Sequence, residues 1–194
     1  MQRLRPYLGC ALLLAALVAG CASPTRFYLN AEADMGFYQK VIVLPFANLT
    51  GDRFAGERVT RVFVTELVII DRFRIVDPGE VRAILDRTGG LSAVDGSYDP
   101  KKLKDAAAEV GATGIIRGGV TEYQLLRSGS SEKPSIAFDA EMMDVATSTV
   151  VWRASIAKRG KSRVPIVGGG SPTLSRLAEE ACREVVAKLE REAY

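Results

Sequence analysis

The chain has 194 residues, 47% of them hydrophobic, with 26 Lys and Arg against 23 Asp and Glu. That length suits one domain, and a net charge of only +3 gives no basic surface of the kind that grips nucleic acid. There is no His anywhere, which removes Ser-His-Asp and Cys-His catalysis and most zinc chemistry.

Arg3 and Arg5 form a positive leader, and Tyr7 to Val18 is uncharged and rich in Leu and Ala. This core falls short of the ~20 apolar residues that span a bilayer and fits the apolar part of a secretory signal. It ends in Leu17-Val18-Ala19-Gly20-Cys21, which reads as the lipobox of a bacterial lipoprotein: cleavage after Gly20, lipid on Cys21. The plainer alternative is an ordinary signal peptide cut near Ala22 or Ser23. The thiol matters because it can be alkylated to a thioether carrying diacylglycerol, and two or more chains anchor stably where one does not. Ala22 stands where an Asp would retain a lipoprotein at the inner membrane, so the resemblance to lipoprotein signals implies the outer membrane, periplasmic face. Removing the leader takes Arg3 and Arg5 with it and leaves 24 cations against 23 acids. Cys10 departs with the leader and Cys21 carries lipid, so Cys182 is alone and no intramolecular disulfide forms.

The expected organisation is a signal peptide over 1–20, lipidated Cys21 with a short tether to residue 38, and one periplasmic domain over 39–194. Ala22 to Tyr38 contains Pro24 and little periodicity; about 17 residues at ~3.3–3.6 Å each would extend roughly 56–61 Å. Val41-Ile42-Val43-Leu44 is a continuous apolar run closed by Pro45, a buried strand, and Asn48 to Asp52 is a turn. Val59, Val62, Phe63, Leu67 and Ile70 share one helical face. Val64, Val68 and Ile69 lie off it, so the helix is either deeply buried or covers a second surface such as a neighbouring subunit. Phe73 to Val76 is a short strand. Asp77-Pro78 and Asp99-Pro100 start two helices that stop at Gly89-Gly90 and Gly111, with a loop over 91–98 between them.

From Ile115 the pattern changes to strands: Ile115 to Leu126, with Gly118-Gly119 marking a bulge or close approach, then Ile136 to Met143, then Val150 to Ile156. Arg127 to Pro134 reads as a polar turn and Ala146-Thr147-Ser148 as a tight one. The final helix begins with Ser171 as cap and Pro172 in its first turn, and buries Leu174, Ala178, Ala181, Cys182, Val185 and Leu189. The fold class is α/β, a mixed sheet in the order β-α-β-α-α-β-β-β-α with a C-terminal antiparallel three-strand meander and helices packed on the sheet.

Three features invite a functional reading. Asp139 and Glu141 share one side of a strand, about 6.5–7 Å apart along it, a spacing open to a glycosidase acid/base pair and equally to a plain solvated face. Gly168-Gly169-Gly170-Ser171 precedes a helix N-terminus, where amides cradle anions, but lacks the ending of a nucleotide P-loop. With Lys158, Arg159, Lys161 and Arg163 just upstream, it forms a candidate contact for lipid headgroups or an acidic partner, or simply a soluble loop. Trp152, the one Trp, is a core residue or, if exposed, an interface residue. No nucleotide, cofactor or metal is called for.

Three segments carry a family resemblance: Val41 to Gly51, Phe73 to Asp77 with its following helix, and Gly111 to Thr121, joined by Val150-Val151-Trp152. Together they resemble the curli-secretion-channel-like outer-membrane lipoproteins, related to the N-terminal domain of the TolB translocation protein, over about Lys40 to Leu189. The curli channel subunit builds its barrel from long amphipathic hairpins, for which the short turn at Arg127 to Pro134 leaves no room. The lipoprotein activator of peptidoglycan synthases works on a long arm, which the tether cannot match. In size the chain is nearest to the small lipoprotein of Pel-type exopolysaccharide export. The resemblance implies a non-enzymatic scaffold or assembly subunit of an envelope export apparatus, a homo-oligomer held to the membrane by its lipid. The alternative is a monomeric regulatory lipoprotein that binds an envelope enzyme such as a peptidoglycan synthase.

Overall fold

A computed structural model of the chain describes residues 25–92, 97–128, 131–160 and 173–194. Seven strands form one mixed sheet: β1 (Arg26–Leu29), β2 (Lys40–Val43), β3 (Ala47–Asn48), β4 (Arg74–Ile75), β5 (Gly114–Ser128), β6 (Ser131–Asp144) and β7 (Val150–Arg159). Four helices pack on it: α1 (Ala55–Ile69), α2 (Pro78–Thr88), α3 (Pro100–Glu109) and α4 (Leu174–Ala193). The strand order is β1-β7-β6-β5-β2-β4, with β3 also beside β5. β4, β2 and β5 are parallel, whereas β5, β6, β7 and β1 run antiparallel. The expected α/β class and meander are therefore present.

The sequence patterns have direct causes. The run Val41–Leu44, which spans most of β2, is apolar without a break because both its faces are covered: Val41 and Val43 join one core, Ile42 and Leu44 the other. The first core lies under α1 and α4 and is centred on Phe63, Leu67, Trp152, Cys182 and Leu189. The second lies under α2 and α3 and contains Ile84, Leu85, Leu103 and Ile115. Asp77 and Asp99 cap α2 and α3 by accepting from Gly79 N at 2.7 Å and Lys101 N at 2.9 Å, and Gly89 closes α2 in the left-handed conformation. On α4, Ala178, Ala181 and Cys182 are fully enclosed. Burial pushes the Cys182 thiol far above its ordinary range, which makes it a small core residue and not a reactive thiol.

Several expectations are corrected. The described part of the expected tether, residues 25–38, is not free: Arg26–Leu29 pairs antiparallel with β7, and a 3-10 turn follows at Met35–Phe37 with Met35 and Tyr38 buried. The domain accordingly starts well before residue 39. Phe27 and Leu29 pack on the first core, and Phe27 stacks on Trp152 with ring centroids 6.4 Å apart. Four residues of alternation are too few to show as a strand in sequence. Arg127 to Pro134 is not a turn, since the β5–β6 arms stay paired out to Ser128 and Ser131, helped by Arg127–Glu132 at 2.8 Å. The bulge falls between Val120 and Glu122, while Gly118 marks the close approach: a Cβ there would meet the Asp139 carbonyl at 2.3 Å. Thr173, not Ser171, caps α4 by accepting from Arg176 N; Ser171 and Pro172 lie outside the described residues.

Trp152 is fully buried, so its candidate role at an interface is withdrawn. The alternation of β7 turns its ring into the first core, and its indole N–H has no hydrogen-bond partner. We predict that Trp152→Phe, which keeps an aromatic ring and removes the orphan donor, changes stability by less than about 1.5 kcal/mol. Trp152→Ala costs about 3–5 kcal/mol. Denaturant unfolding of both variants checks the contrast.

Candidate protein-interaction face

The two faces of the sheet are unequally covered. α1 and α4 close one face along its length, while α2 and α3 sit over the β4–β2–β5 side of the other. Among the described residues no helix covers the outer face of β6, β7 and β1. Register sets its side chains in rows. Arg117, Glu141, Arg153 and Tyr28 face one another across β5, β6, β7 and β1. The next row holds Gly119, Asp139, Ser155 and Arg26.

The first row is tied by charge. Arg117 donates to Glu141 at 2.7 Å, Arg153 reaches the other oxygen of Glu141 at 3.4 Å, and Arg153 also contacts Asp139 at 3.3 Å. The Glu141 side chain is only 9% exposed, whereas those of Arg117 and Arg153 are 52% and 57% exposed. A nearly buried carboxylate therefore holds two guanidinium groups flat on an open sheet. Asp139 and Glu141 do sit side by side as the alternation requires, but guanidinium groups take up both. That is a structural ladder and not an acid beside a nucleophile. Held Arg and Tyr side chains are the types enriched at the centres of protein interfaces.

The basic set divides. Lys158 lies on the helix-covered face, paired with Glu184 at 2.7 Å, and Arg159 is exposed at the end of β7. Lys161, Arg163 and the Gly168–Ser171 stretch lie outside the described residues, as do Gly20 and Cys21. Sequence reasoning missed the Lys158–Glu184 contact and what it does. Glu184 also accepts from the Thr25 hydroxyl, at 2.5 Å, and Lys188 donates to the Thr25 carbonyl at 2.9 Å. The chain is thus pinned to α4 immediately before β1. Reasoning missed Arg117 and Arg153 as well, although a cation opposite Glu141 on each neighbouring strand was visible once the meander was registered.

A second exposed feature lies at the C-terminal end of α1. Val68 and Ile69 are 58% and 67% exposed, which excludes the deeply buried form of that helix and leaves its apolar end facing outward. Phe54 and Leu49 are exposed at the other end, with the Arg53 guanidinium 5.0 Å above the Phe54 ring.

Comparison with known proteins identifies the family. Residues 24–156 match the peptidoglycan-synthase activator LpoB. The chain belongs to the LpoB family. Among solved structures it is similar to the PelC dodecamer of Paraburkholderia phytofirmans, at 20% identity over 86% of this chain and 96% of that one, TM-score 0.57. It is also similar to lipoprotein GNA1162 of Neisseria meningitidis, at 16% identity over 79% of this chain and 99% of that one, TM-score 0.55. These two likenesses establish the fold alone. No curated protein matches the chain. The expected curli-channel and TolB relationship is not supported; what holds of the resemblance is a small lipoprotein fold of the LpoB and PelC kind. The LpoB family's description names an activator, not an enzyme.

The Glu184 pin gives a pH prediction. Burial alone would raise its carboxyl, but hydrogen bonds from Lys158 and Thr25 and the charges of Lys158 and Lys188 outweigh it and hold it below the usual carboxylate range. A carboxyl lowered in the folded state contributes stability that is complete above its unfolded value of about 4.3 and lost as pH falls through the lower folded value. Amide exchange at Arg26–Leu29, corrected for its intrinsic rate, should therefore speed up as pH drops below about 4. Glu184→Gln should show fast exchange already at neutral pH.

Proposed function

We propose that the chain is a lipid-anchored, non-enzymatic assembly subunit at the periplasmic face of the outer membrane, associating with copies of itself within an envelope export apparatus. The observation that carries this reading is the pinning of Thr25 to α4. With lipid on Cys21, three residues separate the anchor from the pinned Thr25, a reach of roughly 13–14 Å over four steps of the chain. The domain then rides against the bilayer instead of ranging from it. No helix among the described residues is long and apolar enough to cross a membrane, which fits a domain apposed to the bilayer through its lipid. Lateral association suits such a subunit, and the exposed Val68–Ile69 end of α1 together with the Arg–Glu–Arg ladder supplies apolar and polar surface for it. The fold is that of a protein whose solved form is a dodecamer, so the architecture is compatible with a ring.

The family match over 24–156 favours a second reading, a monomeric lipoprotein that binds and activates a peptidoglycan synthase. On the short leash that synthase would have to present its docking site close to the membrane.

Native mass measurement of the full-length protein extracted in detergent separates the two. A closed multi-subunit species is expected; a strict monomer that captures a synthase establishes the activator and overturns the scaffold. Val68→Glu with Ile69→Glu should break the assembly. Because both positions are exposed in the single chain, the dissociated double variant should stay folded, with its far-UV circular dichroism unchanged.

A further inference from the structure

A cleft of about 600 Å³ opens where the parallel and antiparallel halves of the sheet meet, beyond the carboxyl end of β2. Its walls are the Leu44–Asn48 segment, the start of α3 with the residues before it, and the first half of β5. In open α/β sheets this position is where ligands bind, and the size is that of an ordinary ligand site. The lining is apolar at Leu44, Leu103, Ile115 and Met143, and polar at a few points that include Tyr98 and Ser148. Ser148 holds a left-handed φ of 60°, a strained conformation for a non-glycine residue. Burial pushes the Tyr98 phenol up, against the opposing pull of Arg82, so it stays a protonated donor at neutral pH.

The charges on this lining are one-sided. Among the described residues two cations line it, Lys104 and Arg117, and no carboxylate does. Among the described residues Lys104 reaches the Ala146 carbonyl, at 3.4 Å, a weak contact for an ammonium group. Arg117 is held by Glu141 but remains half exposed, and it belongs to both the cleft and the ladder row. The cleft is therefore continuous with the interaction face.

We infer that this cleft is the docking pocket for an extended segment of a partner protein carrying a carboxylate beside an apolar side chain. The apolar group fills the space over Leu44, Ile115 and Met143, and the carboxylate meets Lys104 and Arg117. A peptide fits better than a lipid tail because the pocket is reached from the protein-contact face through Arg117. The inference rests on the protein-contact reading above. Association of copies is measured by native mass and peptide capture by titration, so either can fail alone.

The test uses the mature chain in detergent, titrated with acetyl-Leu-Asp-Leu-Phe-amide, with its Asn counterpart, and with hexanoate, following the amide resonances of Lys104, Arg117 and Ser148. The Asp peptide should give saturable shifts and bind about tenfold tighter than the Asn peptide. Added salt should weaken it. Lys104→Ala, on a partly exposed helix position, should weaken it several-fold with the melting temperature unchanged, and Met143→Trp should block it by filling the cleft. Equal binding of the Asp and Asn peptides, no saturable shift from either, or hexanoate binding as tightly as the Asp peptide would overturn the inference. The last outcome would mean that the site reads a free carboxylate and not a peptide.

Discussion

The constraint on which the fold depends is the crowding along β5. This strand is parallel to β2 and β3 on one side and antiparallel to β6 on the other, so it joins two sheets that would otherwise be separate. The joint works only if β5 carries almost no side chain at certain positions. A Cβ at Gly118 would come within 2.3 Å of the Asp139 carbonyl and 3.1 Å of the Phe46 ring, and one at Gly114 within 2.9 Å of the Met142 sulfur. Backbone cannot yield as a flexible side chain does, so Gly118 is the stricter of the two. Removing bulk there lets Phe46 settle against Phe63 and Phe138, and that aromatic group ties α1 to the sheet.

Two consequences follow from the joint. The helices that return the parallel strands can cover only the parallel half of their face, because the meander strands are linked by tight turns and bring no helix with them. Among the described residues no helix covers the remaining half, and β-sheet alternation fills it with polar side chains. The Arg117–Glu141–Arg153 row is the form this takes. Glu141 is nearly buried, so removing it would take from Arg117 the carboxylate it donates to and leave Arg153 with Asp139, whereas the exposed cations are worth little to stability on their own. The ladder is better understood as a device that fixes the shape of an open surface than as a source of fold stability.

Legibility in the sequence followed the strength of the local signal. The runs at Val41–Leu44 and Ile136–Met143, the Asp-Pro helix starts and the Gly89 stop each carry a residue-level reason, and each appears where expected. β1 and β3 do not announce themselves. Arg26–Leu29 becomes a strand only because Phe27 meets Trp152 and Thr25 meets Glu184, partners more than 120 residues away. The same gap affects the site. Asp139 and Glu141 were readable as a shared face, but the cations that decide their role sit on different strands and needed the register. Trp152 is an intermediate case: alternation favours the core, and the fold's burial of the ring decides against the interface.

The pin at Thr25 joins the two kinds of information. The segment from Leu17 to Cys21 resembles a lipoprotein processing signal, and the proposed lipid is a local matter of that segment. What the lipid does mechanically depends on where the fold takes hold of the chain. If residues 22–38 were free, the domain could sweep a wide shell below the membrane, and an anchored protein of that kind acts by reach. Glu184 and Lys188 hold the chain at Thr25, with Lys158 paired to Glu184, so on the proposed function the lipid would attach just ahead of a chain already fixed against α4. That removes rotational and translational freedom before any partner arrives, and lost freedom is a main cost of association. On the proposed lipid anchor, so short a link would favour repeated side-by-side contacts between copies on one surface.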